Sequence, residues 1–187
     1  MPWIVLGVLV LLVVLALVWF VSAYNGLVRK RNQVQAAGAQ IDVQLKRRHD
    51  LVPNLVETVR AYASHERGTL DAVTTARQAA LGAVGAPRQA QAEAEGMLTQ
   101  TLGRLFAVVE AYPDLKANQN FLALQGELAA TEDKIAYSRQ FYNTAVQTLN
   151  TATETLPTNL VAGVGGFHRA EYFQAAGDER GAVNVRF

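Results

Sequence analysis

The chain has 187 residues, half of them hydrophobic, with 17 Lys/Arg against 16 Asp/Glu and no Cys. That length holds one domain plus an anchor, and the missing Cys removes disulfides, thiolate zinc sites and Cys nucleophiles together, which fits a reducing compartment. A net charge of +1, without a basic face that alternates with aromatics, gives no sign of nucleic acid as a partner.

Trp3 to Ala23 is a run of 21 uncharged residues, and a membrane helix needs about 20. Trp3 stands at one end and Trp19, Phe20 and Tyr24 at the other, where interfacial aromatics belong. We read residues 1–23 as an uncleaved transmembrane anchor. The rival is a signal peptide cleaved after Val21-Ser22-Ala23. It is opposed by the lack of a basic stretch before the apolar run and by the length of that run. Arg29, Lys30 and Arg31 follow the span and no basic side chain precedes it. The positive-inside rule therefore places the N-terminus outside and the domain in the cytoplasm. Residues 24–60 carry seven Lys/Arg against three acids, so attraction to anionic lipid is worth about 1 kcal/mol per basic residue near the surface. The plainer reading is that the three residues only stop transfer.

Beyond the anchor, Leu27, Val34 and Ile41 recur every seven residues, with Leu45 four further on, one apolar stripe of a first soluble helix. Cationic side chains at Arg47 to His49 suit a helix C-terminus. Asp50 suits an N-cap and Pro53 a first turn. RRHDLVP is therefore expected to be a tight reversal, its rival being one long helix kinked at Pro53. A second helix is expected from Leu51 to Leu81, with Leu55, Val59, Tyr62, Glu66, Leu70, Val73 and Arg77 on its stripe. Gly82, Gly85 and Pro87 end it. A third runs from Arg88 to Tyr112. Its Leu98, Leu102, Leu105, Val109 and Tyr112 alternate spacings of four and three, a coiled-coil-like seam. Pro113 interrupts, and Asn118 or Asn120 can cap the fourth helix. In that helix Phe121, Leu128, Ile135, Tyr142, Leu149 and Leu156 fall at strict sevens. Thr131, Ser138, Ala145 and Ala152 are small, so a neighbour can approach there. Pro157 stops it. The expected fold is all-α: an N-terminal transmembrane helix, then an antiparallel four-helix bundle of long helices over 24–167, and a C-terminal tail over 168–187.

Two blocks carry a family resemblance. The first holds Tyr24-Asn25, Leu27-Val28, Arg31-Asn32, the run QIDVQLKRR from Gln40 to Arg48, Asp50-Leu51, Pro53-Asn54-Leu55 and His65-Glu66. The second holds Tyr142-Asn143, Val146, Pro157, Asn159-Leu160, Ala162, Gly166-Phe167 and Glu171-Tyr172-Phe173. Together they resemble the LemA family of bacterial membrane-anchored proteins. The resemblance implies a helical-bundle fold and a place at the bacterial inner membrane, and no reaction. One departure is Gly165, where the family tends to have an aromatic before Gly-Phe.

Chemistry-bearing patterns are sparse. Tyr24-Asn25-x-x-Val28-x-x-x-Asn32 is echoed by Tyr142-Asn143-x-x-Val146-x-x-x-Asn150. The echo is either a polar site shared by the first and fourth helices or a contact that fixes register. His65-Glu66 is not HExxH, His49 and His168 are isolated, and all three are expected to be solvated or capping. Glu93 and Glu95, two apart, point to different faces. No catalytic, metal or cofactor-binding residue is expected, and no cofactor. Asp42, Lys46, Arg47, Arg48 and Asp50 form the densest charged set, either a partner-binding end or a solvated face with local ion pairs. From Gly177 the chain turns polar. Val183, Val185 and Phe187 alternate with polar residues, which suits either a disordered tail or a docking peptide for a partner or a neighbouring copy. These features suggest a non-enzymatic membrane scaffold or adaptor that touches the lipid bilayer and protein partners and can form a homo-oligomer. The alternative is a membrane-anchored sensor that binds a small ligand or ion between helices one and four.

Overall fold

The computed structural model describes residues 2–173, and Val183, Val185 and Phe187 lie outside that range. Every regular element among the described residues is helical: α1 (Pro2–Tyr62), α2 (Arg67–Gly82), α3 (Arg88–Val109), α4 (Pro113–Lys116), α5 (Gln119–Glu154) and α6 (Thr158–Val164). The chain forms two compact units. Among the described residues, one comprises residues 2–38 with Phe141–Ala170, the other Ala39–Gln140 with residues 171–173.

The expected reversal at RRHDLVP does not occur. Instead α1 runs unbroken through it, and Asp50 is an exposed mid-helix residue paired with Lys46 rather than a cap. The reason is a continuous seam. Ile41, Leu45, Arg48, Val52, Leu55 and Val59 alternate spacings of four and three, and all are buried. A reversal would break that phase. Pro53 lacks an N–H and so leaves the carbonyl of His49, four residues earlier, without its helical donor. Arg77 of α2 replaces that donor: its Nε bonds the His49 carbonyl oxygen at 2.7 Å. The helix can therefore keep a proline in its interior.

The expected second helix is consequently two pieces. It breaks after Tyr62, and Glu66 N–H closes the turn onto the Ala63 carbonyl at 3.1 Å. Tyr62 is exposed, whereas Leu55, Val59, Leu70 and Val73 are buried as their spacing requires. The α3 seam of Leu98, Leu102, Leu105 and Val109 is buried throughout. Asn118 caps α5, its side-chain oxygen accepting the Phe121 N–H at 3.1 Å. Of the α5 heptad positions, Phe121, Leu128, Ile135, Tyr142 and Leu149 are buried. Leu156 is the exception: α5 ends at Glu154, and Leu156 is 76% exposed.

In the second unit one core is shared by Val52 to Val59 of α1, Ala63 just after it, Leu70 to Ala80 of α2, Ala94 to Val109 of α3, Leu115, and Phe121 and Leu128 of α5. Phe173 is also buried in this unit, with the Arg139 guanidinium 4.9 Å from its ring centroid.

In the first unit Leu27, Val161, Ala162 and Phe167 form a small core, against which Phe20, Ala23, Val28 and Ala152 pack. The chain leaves α6 through a Schellman turn. Phe167 N–H bonds the Ala162 carbonyl at 3.0 Å, and Gly166 N–H bonds that of Gly163 at 3.5 Å. Gly166 adopts φ +65, which an L side chain resists. The turn drives the Phe167 ring edge-on against Tyr24, at 5.4 Å between centroids, and beneath Arg31. Gly165 has no room for a side chain: an added Cβ would lie 2.7 Å from the Phe167 ring and 3.1 Å from Tyr24.

Trp3 to Ala23 opens α1 with apolar side chains that are almost all exposed, and this stretch is long and apolar enough to cross a membrane.

Candidate functional site

The charged set expected at one place divides on folding. Lys46 and Asp50 pair along the exposed face of α1 at 2.6 Å, and the Lys46 hydrogen bond holds the Asp50 carboxyl below its ordinary pKa. Arg47 pairs with Glu127 of α5, also exposed. Asp42 faces α3, where Arg88 grips both its oxygens at 2.7 and 3.3 Å and Gln91 adds a third donor at 3.3 Å. Surface pairs of this kind contribute little stability.

Arg48 differs. It is 1% exposed, as is His49, and both meet Glu95 of α3, which is 0% exposed. The expectation of a solvated face fails for Arg48, and that of a solvated or capping histidine fails for His49. The reason is the seam: Arg48 occupies a core position of α1. Gln91 and Glu95 likewise extend the α3 seam backwards from Leu98 at spacings of three and four. Two helices thus each present a charge where a leucine would otherwise sit.

The donors are nearly all used. Arg48 Nη2 bonds the Glu95 carboxylate and, at 3.2 Å, the Glu95 carbonyl. Nη1 bonds Thr99 Oγ1 at 3.0 Å and Glu132 of α5 at 2.6 Å. His49 Nε2 donates to the other Glu95 oxygen at 2.8 Å. Burial pushes the Glu95 carboxyl up. The His49 hydrogen bond and the Arg48 charge and hydrogen bond outweigh that, so its pKa lies below the ordinary carboxylate value. The cluster ties α1, α3 and α5 together at one level, and Arg77 adds α2 through the His49 carbonyl. Chemically it is a closed lock. Its carboxylate is occupied by two donors and screened from solvent, which suits fixing helix register rather than receiving a substrate. Glu93 is exposed on the opposite face. The sequence gives one signal for Glu95, its place in the seam; its partners lie 46 and 47 residues earlier and leave no local trace.

The echoed residues all fall in the first unit. Tyr24 packs on Phe167, while Asn25 and Asn32 are exposed on α1. Tyr142 and Asn150 are buried on α5 and Asn143 is half-buried. The Asn150 amide is engaged: it donates to the Ala170 carbonyl at 3.0 Å and accepts the Ala170 N–H at 2.8 Å. It thereby pins the chain after α6 to α5. Among the described residues, no three or more His, Asp or Glu side chains are grouped to hold a metal ion.

The sequence model of the LemA family matches residues 37–187. Magnetosome protein MamQ 1 of Paramagnetospirillum magneticum is 32% identical over 201 residues, covering 91% of this chain and 74% of that protein. Magnetosome protein MamQ of Magnetospirillum gryphiswaldense is 29% identical over 195 residues, covering 88% and 72%. Protein LemA of Metamycoplasma hominis is 28% identical over 166 residues, covering 89% and 75%. With the family match running over residues 37–187 and similarity reaching across nine-tenths of the sequence, the chain belongs to the LemA family.

Proposed function

We propose that this protein is a non-enzymatic, single-pass scaffold of the bacterial inner membrane. Its N-terminus lies outside, and it presents a cytoplasmic antiparallel bundle of four helices to protein partners. The observation that carries this reading is that one helix, Pro2–Tyr62, contains both the apolar stretch and the buried Arg48–His49 lock. Cleavage after Ala23 would remove Phe20 and Ala23 from the core they pack against, which favours a retained anchor. Arg29, Lys30 and Arg31 just beyond the span favour a cytoplasmic domain. The buried charges bind helices to one another, so partner recognition falls to the exposed Lys46, Arg47 and Asp50 and to the C-terminal Val183, Val185 and Phe187, which lie outside the described residues. The sensor reading gains no support from Asn150, whose amide is engaged by Ala170.

The test is capture of partners by the full-length protein in mild detergent, with the co-purifying proteins identified. Two comparison proteins carry Lys46→Glu with Arg47→Glu, or lack residues 177–187. The scaffold reading expects a reproducible set of proteins that at least one comparison protein loses. If all three bring down the same background, the reading fails. Orientation is checked with a reporter after Phe187, which should work only if it is one active in the cytoplasm.

A further inference from the structure

α6 sits beside the end of the apolar span. Val161 and Ala162 on its inner face join Leu27 in the small core, and Phe20 and Ala23, at the close of the apolar run, pack against that core. The run of 21 residues is about 31 Å of helix, the thickness of a hydrocarbon core. Its last turn therefore lies at the lipid–water boundary, and α6 lies beside that turn.

The outer side of this element is apolar and bare. Leu160 and Val164, one turn apart, are 64% and 80% exposed, and Leu156 in the preceding connection is 76% exposed. Acidic repulsion is slight there. Between Phe141 and Ala170 the only charged side chains besides His168 are Glu154 and Arg169, and these pair at 2.9 Å. Arg29, Lys30 and Arg31 follow on α1 in the turns just past Ala23. An apolar face at the acyl boundary with basic residues at headgroup level is the pattern of an interfacial helix. Long basic side chains can extend from it to the phosphates.

We propose that Leu156, Leu160 and Val164 are embedded in the membrane interface, so that α6 is a second, peripheral membrane contact beside the anchor. This rests on the anchor reading above. The occupant is the lipid of the bilayer that α1 enters, because α6 packs through Val161 and Ala162 into the same small core as Phe20 and Ala23 at the end of the apolar run. The contact would hold the first unit against the membrane plane and restrict its rotation about α1.

The chain has no native Cys, so single sites can be labelled in the full-length protein. The protein is reconstituted into phosphatidylcholine–phosphatidylglycerol vesicles with an environment-sensitive fluorophore at Leu160→Cys, Val164→Cys, Val10→Cys or Gln147→Cys. All four positions are exposed, so a label displaces no packing. Nitroxide-bearing lipids with shallow or deep quenchers report depth. The proposal expects labels at 160 and 164 to be blue-shifted and quenched most by shallow nitroxides, 10 to be quenched most by deep ones, and 147 to be water-like. If 10 is quenched while 160 and 164 match 147, the interfacial contact is refuted and the anchor stands. Blue-shifted labels at 160 and 164 that no lipid quencher reaches would mean that protein, such as a second copy, covers the patch, and would also refute it. An unquenched label at 10 would overturn the anchor and the proposal together.

Discussion

Replacing Arg77 by Met should destabilise the protein, and the cause should be a proline 24 residues away. Pro53 leaves the His49 carbonyl without its helical donor, and Arg77 Nε bonds that oxygen at 2.7 Å. His49 is 1% exposed, so water cannot readily take over. Arg77→Met keeps most of the apolar stem and leaves a buried acceptor unsatisfied, at a cost of about 1–3 kcal/mol. Pro53→Ala restores the N–H and removes the ring from the helix interior, where proline costs about 3 kcal/mol. Because Arg77 already offsets part of that penalty, the gain from Pro53→Ala should be smaller, roughly 1–2 kcal/mol. In the Pro53→Ala background the carbonyl has a helical partner, so Arg77→Met should cost less than about 1 kcal/mol. The assay is denaturant unfolding of the four full-length proteins in detergent, followed by far-UV circular dichroism, with the coupling taken from the double-mutant cycle. Equal costs of Arg77→Met in both backgrounds would refute the compensation.

The buried lock gives a second cycle. Arg48→Met or Glu95→Leu alone should cost about 3–5 kcal/mol, while the double variant should cost less than their sum by roughly 1–3 kcal/mol. Additive losses in unfolding melts would mean that the pair is not coupled. The lowered pKa of Glu95 sets a pH dependence. A carboxyl whose folded pKa lies below its unfolded value contributes stability that is fully present above the unfolded value and is lost as pH falls through the folded one. Unfolding midpoints should therefore drop below pH about 4.5, and Glu95→Gln should weaken that dependence; an unchanged pH profile would contradict it. Leu128→Ala or Ile135→Ala should each cost about 2–5 kcal/mol, whereas Glu127→Ala, which loses only an exposed pair with Arg47, should cost no more than about 1 kcal/mol. Equal melting shifts at the three sites would show that the α5 stripe is not the core.

How much of this was legible depends on where each cause lies in the chain. The α3 and α5 stripes are readable because the residues that specify them are local and apolar. Leu98 to Val109 and Phe121 to Leu149 need only the helical period. The continuity of α1 was obscured because its seam passes through a charge at Arg48 and a proline at Pro53. Each is an ordinary sign of a helix end, and what cancels them lies elsewhere in sequence. Glu95 stabilises the buried Arg48, and Arg77 supplies the donor that Pro53 removes. Read by spacing alone, Ile41, Leu45, Arg48, Val52, Leu55 and Val59 carry the continuous phase, so the signal was present in the register but not in the residue type. Leu156 shows the opposite failure. Its spacing fits the α5 heptads, but α5 ends at Glu154 and the position lies outside the core. The echo singles out Asn150, yet its partner is the Ala170 backbone, which no side-chain pattern encodes.

The unbroken course of α1 through Pro53 carries the functional account, and one distance tests it. Ala39 and Arg60 are both exposed on α1 in the second unit. Spin labels on Ala39→Cys and Arg60→Cys in the full-length protein report their separation by pulsed dipolar spectroscopy. A continuous helix places the two sites about 32 Å apart, at 1.5 Å per residue. A reversal between His49 and Asp50 would bring them face to face at an interhelical distance of about 10 Å. A distribution centred near the longer distance is the predicted result, and one dominated by strong short-range coupling would contradict the account.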